Sequence, residues 1–228
     1  MESQERYTTM KATPLLTGWT CRHLGDTTPG KTVTLPHDAM LAEPRTALSA
    51  GGTNTGWYEG YDYEYRRTLT VPENELADTH ILEFEGVYHN AEVWLNGQKA
   101  AFRPYGYTGE NELRVIARNA DQPNSRWYSG AGIYRPVQLW TARGAHITLN
   151  GVKIRTLSLD PAVVEVRVKT TAPGTVRLMV DDLPAMQQES DGEAVFTLTL
   201  DDARRWTPVP PTLYACRVSL AEGVVAET

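Results

Sequence analysis

Cysteine and long apolar runs are both scarce in this sequence. The 228 residues include two cysteines, Cys21 and Cys216, which lie far apart and lack the spacing of a metal site. A disulfide framework is therefore not indicated, and a reducing compartment is expected. No apolar run reaches the length of a membrane span, and the polar N-terminus lacks the apolar core of a signal peptide. These features predict a soluble cytoplasmic protein without a membrane partner.

Positive charge is also in short supply. The 28 acidic residues outnumber the 22 basic ones, which gives a formal net charge of −6. A nucleic-acid partner is therefore not expected. The five histidines form no ligand cluster, and phosphate-loop and nucleophile-elbow motifs are missing. The sequence accordingly predicts no metal, no cofactor and no catalytic residue within this chain.

The pattern of apolar residues favours β-structure almost throughout. Residues 57–71 alternate, with tyrosines at every second position from Tyr61 to Tyr65, and Asn96-Gly97 is a strong hairpin signal. No stretch has the period of an amphipathic helix. We therefore predict an all-β protein built from antiparallel sandwiches.

A domain boundary is predicted near Arg143-Gly144, which gives domains of residues 1–143 and 144–228. From Ile147 onward short Val-rich segments alternate with turn signals, as in an immunoglobulin-like sandwich. The second domain is short, so we expect it to lack its last strand. Tyr214 stands two residues before Cys216, which is the spacing of a tyrosine corner.

The stretch from Asn124 to Trp140 begins as a loop and ends as a strand. Loops carry recognition more often than strands do, and this loop holds Arg126, Trp127 and Tyr128. Aromatic faces beside a planar guanidinium suit the rim of a sugar site. The alternative is that Trp127 only closes the end of a β-sandwich.

Nine short motifs, in order along residues 35–214, carry a resemblance to a known family. They are Leu35-Pro-His-Asp38, Thr55-Gly-Trp-Tyr58, Phe84-Glu-Gly-Val87, Ala91-Glu-Val-Trp-Leu-Asn-Gly97, Gly106-Tyr-Thr108, Glu110-Asn-Glu-Leu-Arg-Val115, Ser125-Arg-Trp-Tyr128, Gly132-Ile-Tyr-Arg-Pro-Val137 and Pro211-Thr-Leu-Tyr214. Together they resemble the N-terminal half of glycoside hydrolase family 2, which includes β-galactosidases, β-glucuronidases and β-mannosidases. The resemblance implies a jelly-roll sugar-binding domain followed by an immunoglobulin-like domain. It also implies a TIM barrel after them, whose two glutamates hydrolyse the glycosidic bond with retention.

The sequence departs from this family pattern in two places. It stops at Thr228, before the barrel, so the stretches that supply the two glutamates are not in it. Between Gly109 and Glu110, roughly ten to fifteen residues are missing, about one strand with its turn. The chain as given is therefore interpreted as a fragment.

The resemblance also implies which residues face the substrate. The positions that match loops reaching the glycone subsite are Asn54 and the segment with Arg126, Trp127 and Tyr128. The amide of Asn54 suits a pair of hydroxyls, although a turn role in Thr-Asn-Thr-Gly is the alternative. Arg126 suits a carboxylate clamp, which would favour a glucuronide over a galactoside.

Three hypotheses follow. The first is the non-catalytic front of a retaining exo-β-glycosidase resembling β-galactosidase, or its β-glucuronidase variant, acting on carbohydrate and homo-oligomeric when full length. The second is a free-standing carbohydrate-binding module with Trp57, Trp127 and Tyr128 as stacking platforms. The third is an adhesion or scaffold protein without a sugar function.

Overall fold

The computed structural model describes residues 10–100, 110–123, 126–221 and 225–227. Strands dominate these residues, with short 3₁₀ turns at Ala39–Ala42, Gly52–Thr55 and Glu73–Glu75. No helix in the described ranges is long and apolar enough to cross a membrane. The predicted gap after Gly109, with Gly106-Tyr-Thr108 and Asn124-Ser125, lies outside the described residues.

The chain divides into two compact units, one of Ala12–Thr141 and one that contains the chain from Ala142 onward. The first unit has two sheets among its described residues, a six-stranded antiparallel sheet ordered β3-β2-β4-β8-β6-β7 and a three-stranded sheet ordered β1-β9-β5. Their strands are β1 (Lys11–Pro14), β2 (Trp19–His23), β3 (Lys31–Val33), β4 (Tyr63–Thr70), β5 (Thr79–Phe84), β6 (Glu92–Leu95), β7 (Gln98–Lys99), β8 (Glu110–Ala117) and β9 (Val137–Ala142).

Alternation along β4 assigns its two faces. Tyr63, Tyr65 and Leu69 point into the core of the first unit and are almost fully buried. Glu64 and Arg66 project from the opposite face of the same strand. Trp19 of β2 is fully buried in this core and donates its indole N–H to the carbonyl of Leu15 at 2.7 Å, so its one polar atom is satisfied.

The predicted hairpin at Asn96-Gly97 is confirmed. Both residues have positive φ, +50° and +76°, which a two-residue turn between β6 and β7 requires. The Asn96 side-chain oxygen also accepts the backbone N–H of Glu112 at 2.8 Å, which joins the turn to β8.

The second unit is a sandwich of two antiparallel sheets among its described residues, ordered β10-β11-β14 and β13-β12-β15-β16. Val166 and Phe196 from one sheet and Val176 and Leu178 from the other share its core. The predicted fold class, a jelly-roll β-sandwich followed by an immunoglobulin-like β-sandwich, is confirmed. The strands are β10 (Ile147–Leu159), β11 (Ala162–Thr170), β12 (Gly174–Val180), β13 (Met186–Ser190), β14 (Glu193–Leu200), β15 (Cys216–Leu220) and β16 (Val225–Glu227).

The predicted domain bounds and the expectation that this unit lacks its last strand stay predictions. A strand of three residues, β16, follows β15 and pairs with it from Ser219↔Val225 to Arg217↔Glu227. The hydroxyl of Tyr214 accepts the backbone N–H of Arg204 at 2.7 Å, the kind of bond a tyrosine corner makes.

Candidate functional site

The loop that holds Tyr128 is fixed by the side chain of Asp38. One carboxylate oxygen accepts the Tyr128 hydroxyl at 2.6 Å, and the other accepts the backbone N–H of Ala131 at 3.0 Å and of Met40 at 3.1 Å. Gly130 lets the loop pass this close, because a Cβ there would lie 2.6 Å from the Asp38 oxygen, and its φ is +70°. Asp38 therefore joins the 126–132 loop to the 3₁₀ turn Ala39–Ala42, which begins directly after Asp38.

A second set of contacts fixes the end of this loop at Gly132. Its backbone N–H donates to the carbonyl of Tyr88 at 2.8 Å, and its carbonyl accepts the N–H of Tyr88 at 2.9 Å. A Cβ at Gly132 would overlap the hydroxyl of Tyr65, which is 2.8 Å from Nδ1 of His37. Burial lowers the pKa of His37, and the opposing charge of Asp38 does not offset it. His37 and Asp38 thus hold the base of the loop, through the bond from the His37 N–H to Ile133 and that from the Ala131 N–H to Asp38.

The loop that contains Asn54 is ordered by hydrogen bonds of its own. The carbonyl of Tyr58 accepts the hydroxyls of Ser49 at 2.7 Å and Thr55 at 3.0 Å, and the backbone N–H of Trp57 donates to Gly52 at 2.8 Å. Asn54 lies in the 3₁₀ turn Gly52–Thr55 and is half-buried. The loop around Asn54 therefore has a defined backbone.

The two loops meet through a pair of tyrosines. The rings of Tyr58 and Tyr128 lie 5.9 Å apart between centroids and are tilted by 56°. The guanidinium of Arg45 lies 5.4 Å from the Tyr58 ring, and its Nε donates to the carbonyl of Gly56 at 2.8 Å. Burial, and then the hydrogen bond to Asp38 and its charge, raise the pKa of Tyr128. Tyr128 is consequently a neutral hydrogen-bond donor at physiological pH.

Arg126 and Trp127 form the outermost part of the site. The Arg126 guanidinium carbon lies 5.1 Å from the Trp127 ring centroid, and 71% of Trp127 is exposed. An exposed indole stacked by a cation offers a flat apolar face beside a planar set of N–H donors. On the other loop Trp57 is also exposed and has a φ of +69°.

The structure therefore brings Tyr128 into a cluster that the sequence predicted only in part. Asn54 lies on the loop whose Tyr58 touches Tyr128, while Arg126 and Trp127 lie on the other loop. Their roles in substrate binding stay predictions. Sequence reasoning missed Arg45, for which no motif gave a signal.

Metal-ligating groups do not cluster here. Within the described ranges no group of three or more histidine, cysteine, aspartate or glutamate side chains is arranged to hold a metal ion. The arrangement offers stacking surface, the amide of Asn54, the guanidinium groups of Arg45 and Arg126, and the phenols of Tyr58 and Tyr128. Groups of this kind suit hydroxylated ligands.

Residues 19–120 match the protein family described as glycosyl hydrolase 2 galactose-binding domain-like. The match is to a domain of glycoside hydrolase family 2. The resemblance predicted from the nine motifs is thereby confirmed.

Two curated relatives extend the similarity over most of the chain. The β-galactosidase BoGH2A of Bacteroides ovatus is 32% identical over 234 residues, which cover 84% of this chain and 28% of that protein. A β-glucuronidase of Paenibacillus borealis is 23% identical over 201 residues, covering 71% of this chain and 33% of its own length. The chain spans between a fifth and a third of the length of the curated relatives it matches.

A solved structure supports the fold. A β-glycosidase from Bacteroides vulgatus superposes with a TM-score of 0.78 at 21% identity, covering 96% of this chain and 33% of that one. At this identity the likeness concerns the fold, and it covers both β-sandwich units.

Proposed function

We propose that this chain is the non-catalytic front of a retaining exo-β-glycosidase resembling β-galactosidase, and that it forms one wall of the sugar pocket. The observation that carries the proposal is the anchored loop pair, in which Asp38 and Tyr58 fix Tyr128 beside the exposed Trp127. The similarity to part of a β-galactosidase supports it. Hydrolysis of the O-glycosyl bond would be carried out by two glutamates of a barrel outside this sequence, as the resemblance implies.

Each predicted residue has a separate task in this proposal. Trp127 presents an apolar ring to the C–H face of a sugar, while Asn54 supplies a donor and an acceptor to neighbouring hydroxyls. The Tyr128 hydroxyl is already committed to Asp38, so its contribution is to hold the loop and offer its ring edge. Half a pocket buries little of a monosaccharide, so the wall acts only with a catalytic domain.

The preferred sugar depends on Arg126. A galactoside offers only hydroxyls, whereas a glucuronide carries a carboxylate that a guanidinium binds through two parallel hydrogen bonds. Arg126 is exposed over the Trp127 ring, so its guanidinium is accessible to such a carboxylate, as the β-glucuronidase alternative requires. Replacing Arg126 with glutamine in an active enzyme distinguishes the two sugars. The KM for a glucuronide rises only if Arg126 binds the carboxylate of the substrate.

The first test is hydrolysis of chromogenic β-galactoside, β-glucuronide and β-mannoside by the purified chain at micromolar concentration. We expect no turnover on any of them, because the proposal places both catalytic glutamates in a barrel outside this sequence. Turnover that survives repurification would overturn the assignment of a non-catalytic role.

The second test is a fusion in which this chain replaces the matching segment of the Bacteroides ovatus β-galactosidase. In an active fusion, Trp127→Ser is expected to raise KM about tenfold or more, since an exposed stacking platform is lost. Trp206→Ser is the matched control, because Trp206 is similarly exposed but lies in the second unit. Equal KM values for the two variants would show that Trp127 does not contact the sugar.

A free-standing carbohydrate-binding module is the second candidate function, favoured by the exposure of Trp57, Trp127 and Tyr128. Calorimetric titration of the chain alone with galactose and glucuronate tests it. Millimolar or tighter binding would support the module, whereas the wall proposal predicts weaker binding. A cytoplasmic location and a homo-oligomeric full-length enzyme stay predictions.

A further inference from the structure

A buried carboxylate surrounded by arginines lies on the face of β4 opposite to the core of the first unit. Glu64 is 2% exposed, and Arg66 on the same strand donates its Nε to it at 2.5 Å. Arg22 from β2 approaches it at 3.1 Å through a terminal nitrogen, and Arg114 from β8 at 3.1 Å through Nε. Three neighbouring strands therefore each contribute a guanidinium to one carboxylate.

The charges in this cluster do not balance. Three guanidinium groups face one buried carboxylate, and the second acid that reaches them, Glu112, binds Arg66 at 2.8 Å with a side chain that is 51% exposed. Two further acids, Asp62 just before β4 and Glu92 of β6, are paired with Arg118. The cluster thus has an excess of positive charge in a chain whose formal net charge is −6.

A pocket of about 350 Å³ opens beside this cluster. It is lined by Thr20, Arg22, Pro29, Gly30, Glu64 and Arg66. The terminal nitrogens of Arg22 bond the carbonyl of Thr28 and the carboxylate of Glu64. Its Nε is buried and has no hydrogen-bond partner among the described residues. A buried N–H of a charged group without an acceptor is costly, so an acceptor from a ligand would be stabilising here.

We propose that this pocket binds an oxyanion, a carboxylate or sulfate group, held by Arg22 and Arg66. Guanidinium groups bind such planar or tetrahedral anions through charge-assisted hydrogen bonds, and Glu64 fixes both arginines before a ligand arrives. The site is distinct from the Tyr58–Tyr128 loop pair and does not depend on the function proposed above. The anion has two chemical sources: an acidic group carried on a saccharide, or a free inorganic ion.

The role of Glu64 gives the proposal a signature that a purely structural ion-pair network lacks. As a structural anchor, Glu64 stabilises the fold, so Glu64→Gln should lower the melting temperature. As a negative charge beside an anion site it also weakens binding, so the same variant should bind the anion more tightly. A network without a ligand predicts the first effect and not the second.

The test is the melting temperature of the 228-residue chain in sodium sulfate, compared with sodium chloride at equal ionic strength. We expect about 10 mM sulfate to raise the melting temperature by about 3 °C over the chloride control. Arg22→Gln and Arg66→Gln should each abolish this difference, whereas Arg118→Gln should keep it, since Arg118 forms ion pairs on the same sheet but does not line the pocket. The difference, rather than the absolute melting temperature, is the readout, so a destabilised variant remains informative.

Glucuronate and glucose at the same concentration distinguish the sources. A rise with glucuronate that glucose does not give, and that Arg22→Gln removes, assigns the site to an acidic saccharide. A rise with sulfate alone assigns it to an inorganic anion. Equal melting temperatures in sulfate and chloride, or a sulfate effect that persists in both the Arg22→Gln and Arg66→Gln variants, would overturn the proposal.

Discussion

The hydroxyl of Tyr128 donates to the carboxylate of Asp38 at 2.6 Å, across 90 residues of chain. Asp38 also accepts two backbone N–H groups, from Met40 and Ala131, so one side chain determines the start of a 3₁₀ turn and the path of the 126–132 loop. A residue with three such bonds is stabilised in one rotamer. The aromatic face of the candidate site is therefore positioned before any sugar arrives, which lowers the cost of ordering it on binding.

Removing the Tyr128 hydroxyl should destabilise the first unit measurably. Hydrogen bonds to charged groups contribute about 1.5–3 kcal/mol when buried, and since 40% of Tyr128 is exposed we expect Tyr128→Phe to cost about 1 kcal/mol. Urea unfolding followed by tryptophan fluorescence gives the value. Tyr61→Phe is the control, because the described contacts of Tyr61 are made by its ring, which stacks on His23. A similar loss of unfolding free energy in both variants would mean that the hydrogen bond to Asp38 does not contribute to stability.

How far the sequence predicted this site depends on the kind of contact. Alternation placed Tyr63 and Tyr65 on one face of a strand because the period of a strand is a local property. The resemblance pointed to Asn54 and to the loop with Trp127. The Asp38–Tyr128 bond could not be predicted from periodicity, since it joins two loops and depends on how the chain returns. Arg45 was missed for the same reason, as its contact with Tyr58 arises only once the loop closes on itself.

The same limit applies to Glu64. In the sequence, the tyrosines of β4 define one face of the strand. Glu64 lies between two of them, and this position predicts an exposed side chain. Its burial results from arginines on three adjacent strands that converge on it, which requires the strand order β2-β4-β8. Strand order is a non-local property, so periodicity alone carries no signal for this cluster.

Substitution of Gly132 should disrupt the base of the candidate site. Its φ of +116° is unfavourable for a residue with a Cβ, and that Cβ would overlap the Tyr65 hydroxyl. Left-handed strain of about 1 kcal/mol and overpacking of about 2 kcal/mol together predict a loss of about 3 kcal/mol for Gly132→Ala. Chemical denaturation checks this value.

Two controls separate the causes of that loss. Gly144→Ala carries only the backbone strain, because φ is +66° and no atom lies within 4 Å of the added Cβ, so it should cost about 1 kcal/mol. In a Tyr65→Phe background the steric overlap is relieved, and Gly132→Ala should cost less than in the parent chain. Additive losses in the double variant would contradict the overlap as the cause.

Stability should depend on pH through Glu64. Burial raises the pKa of this carboxyl, but the hydrogen bonds from Arg66 and Arg22 and the charge of Arg114 outweigh it, so the net shift is below the ordinary value of 4.5. A lowered pKa in the folded state means that Glu64 stabilises the fold above the pKa of the unfolded chain. That contribution is lost as the pH falls through the lower folded-state pKa.

The corresponding variant is Glu64→Gln, which leaves three arginines without their shared carboxylate. Because their side chains are 24–37% exposed, we expect a loss at pH 7 of about 2 kcal/mol, less than for a fully buried pair. The difference from the parent chain should shrink as the pH is lowered below 4.5. Glu112→Gln, which removes an exposed acid, should cost under about 0.5 kcal/mol. A pH-independent difference for Glu64→Gln would contradict the ion-pair account.

Cys21 should be unreactive while the chain is folded. Burial raises the pKa of its thiol to about 11, with a smaller contribution from the charge of Glu43 and an opposing hydrogen bond from Tyr65. The thiolate is the reactive form, and at pH 8 roughly one such thiol in a thousand is ionised, against about one in four for an exposed cysteine. In a Cys216→Ser background, Ellman's reagent should therefore modify the native chain at least about a hundredfold more slowly than the chain in guanidinium chloride. Rapid modification without denaturant would show that β2 separates from its sheet on the timescale of the assay, because a thiol held in this core has neither the ionisation nor the access that the reaction needs.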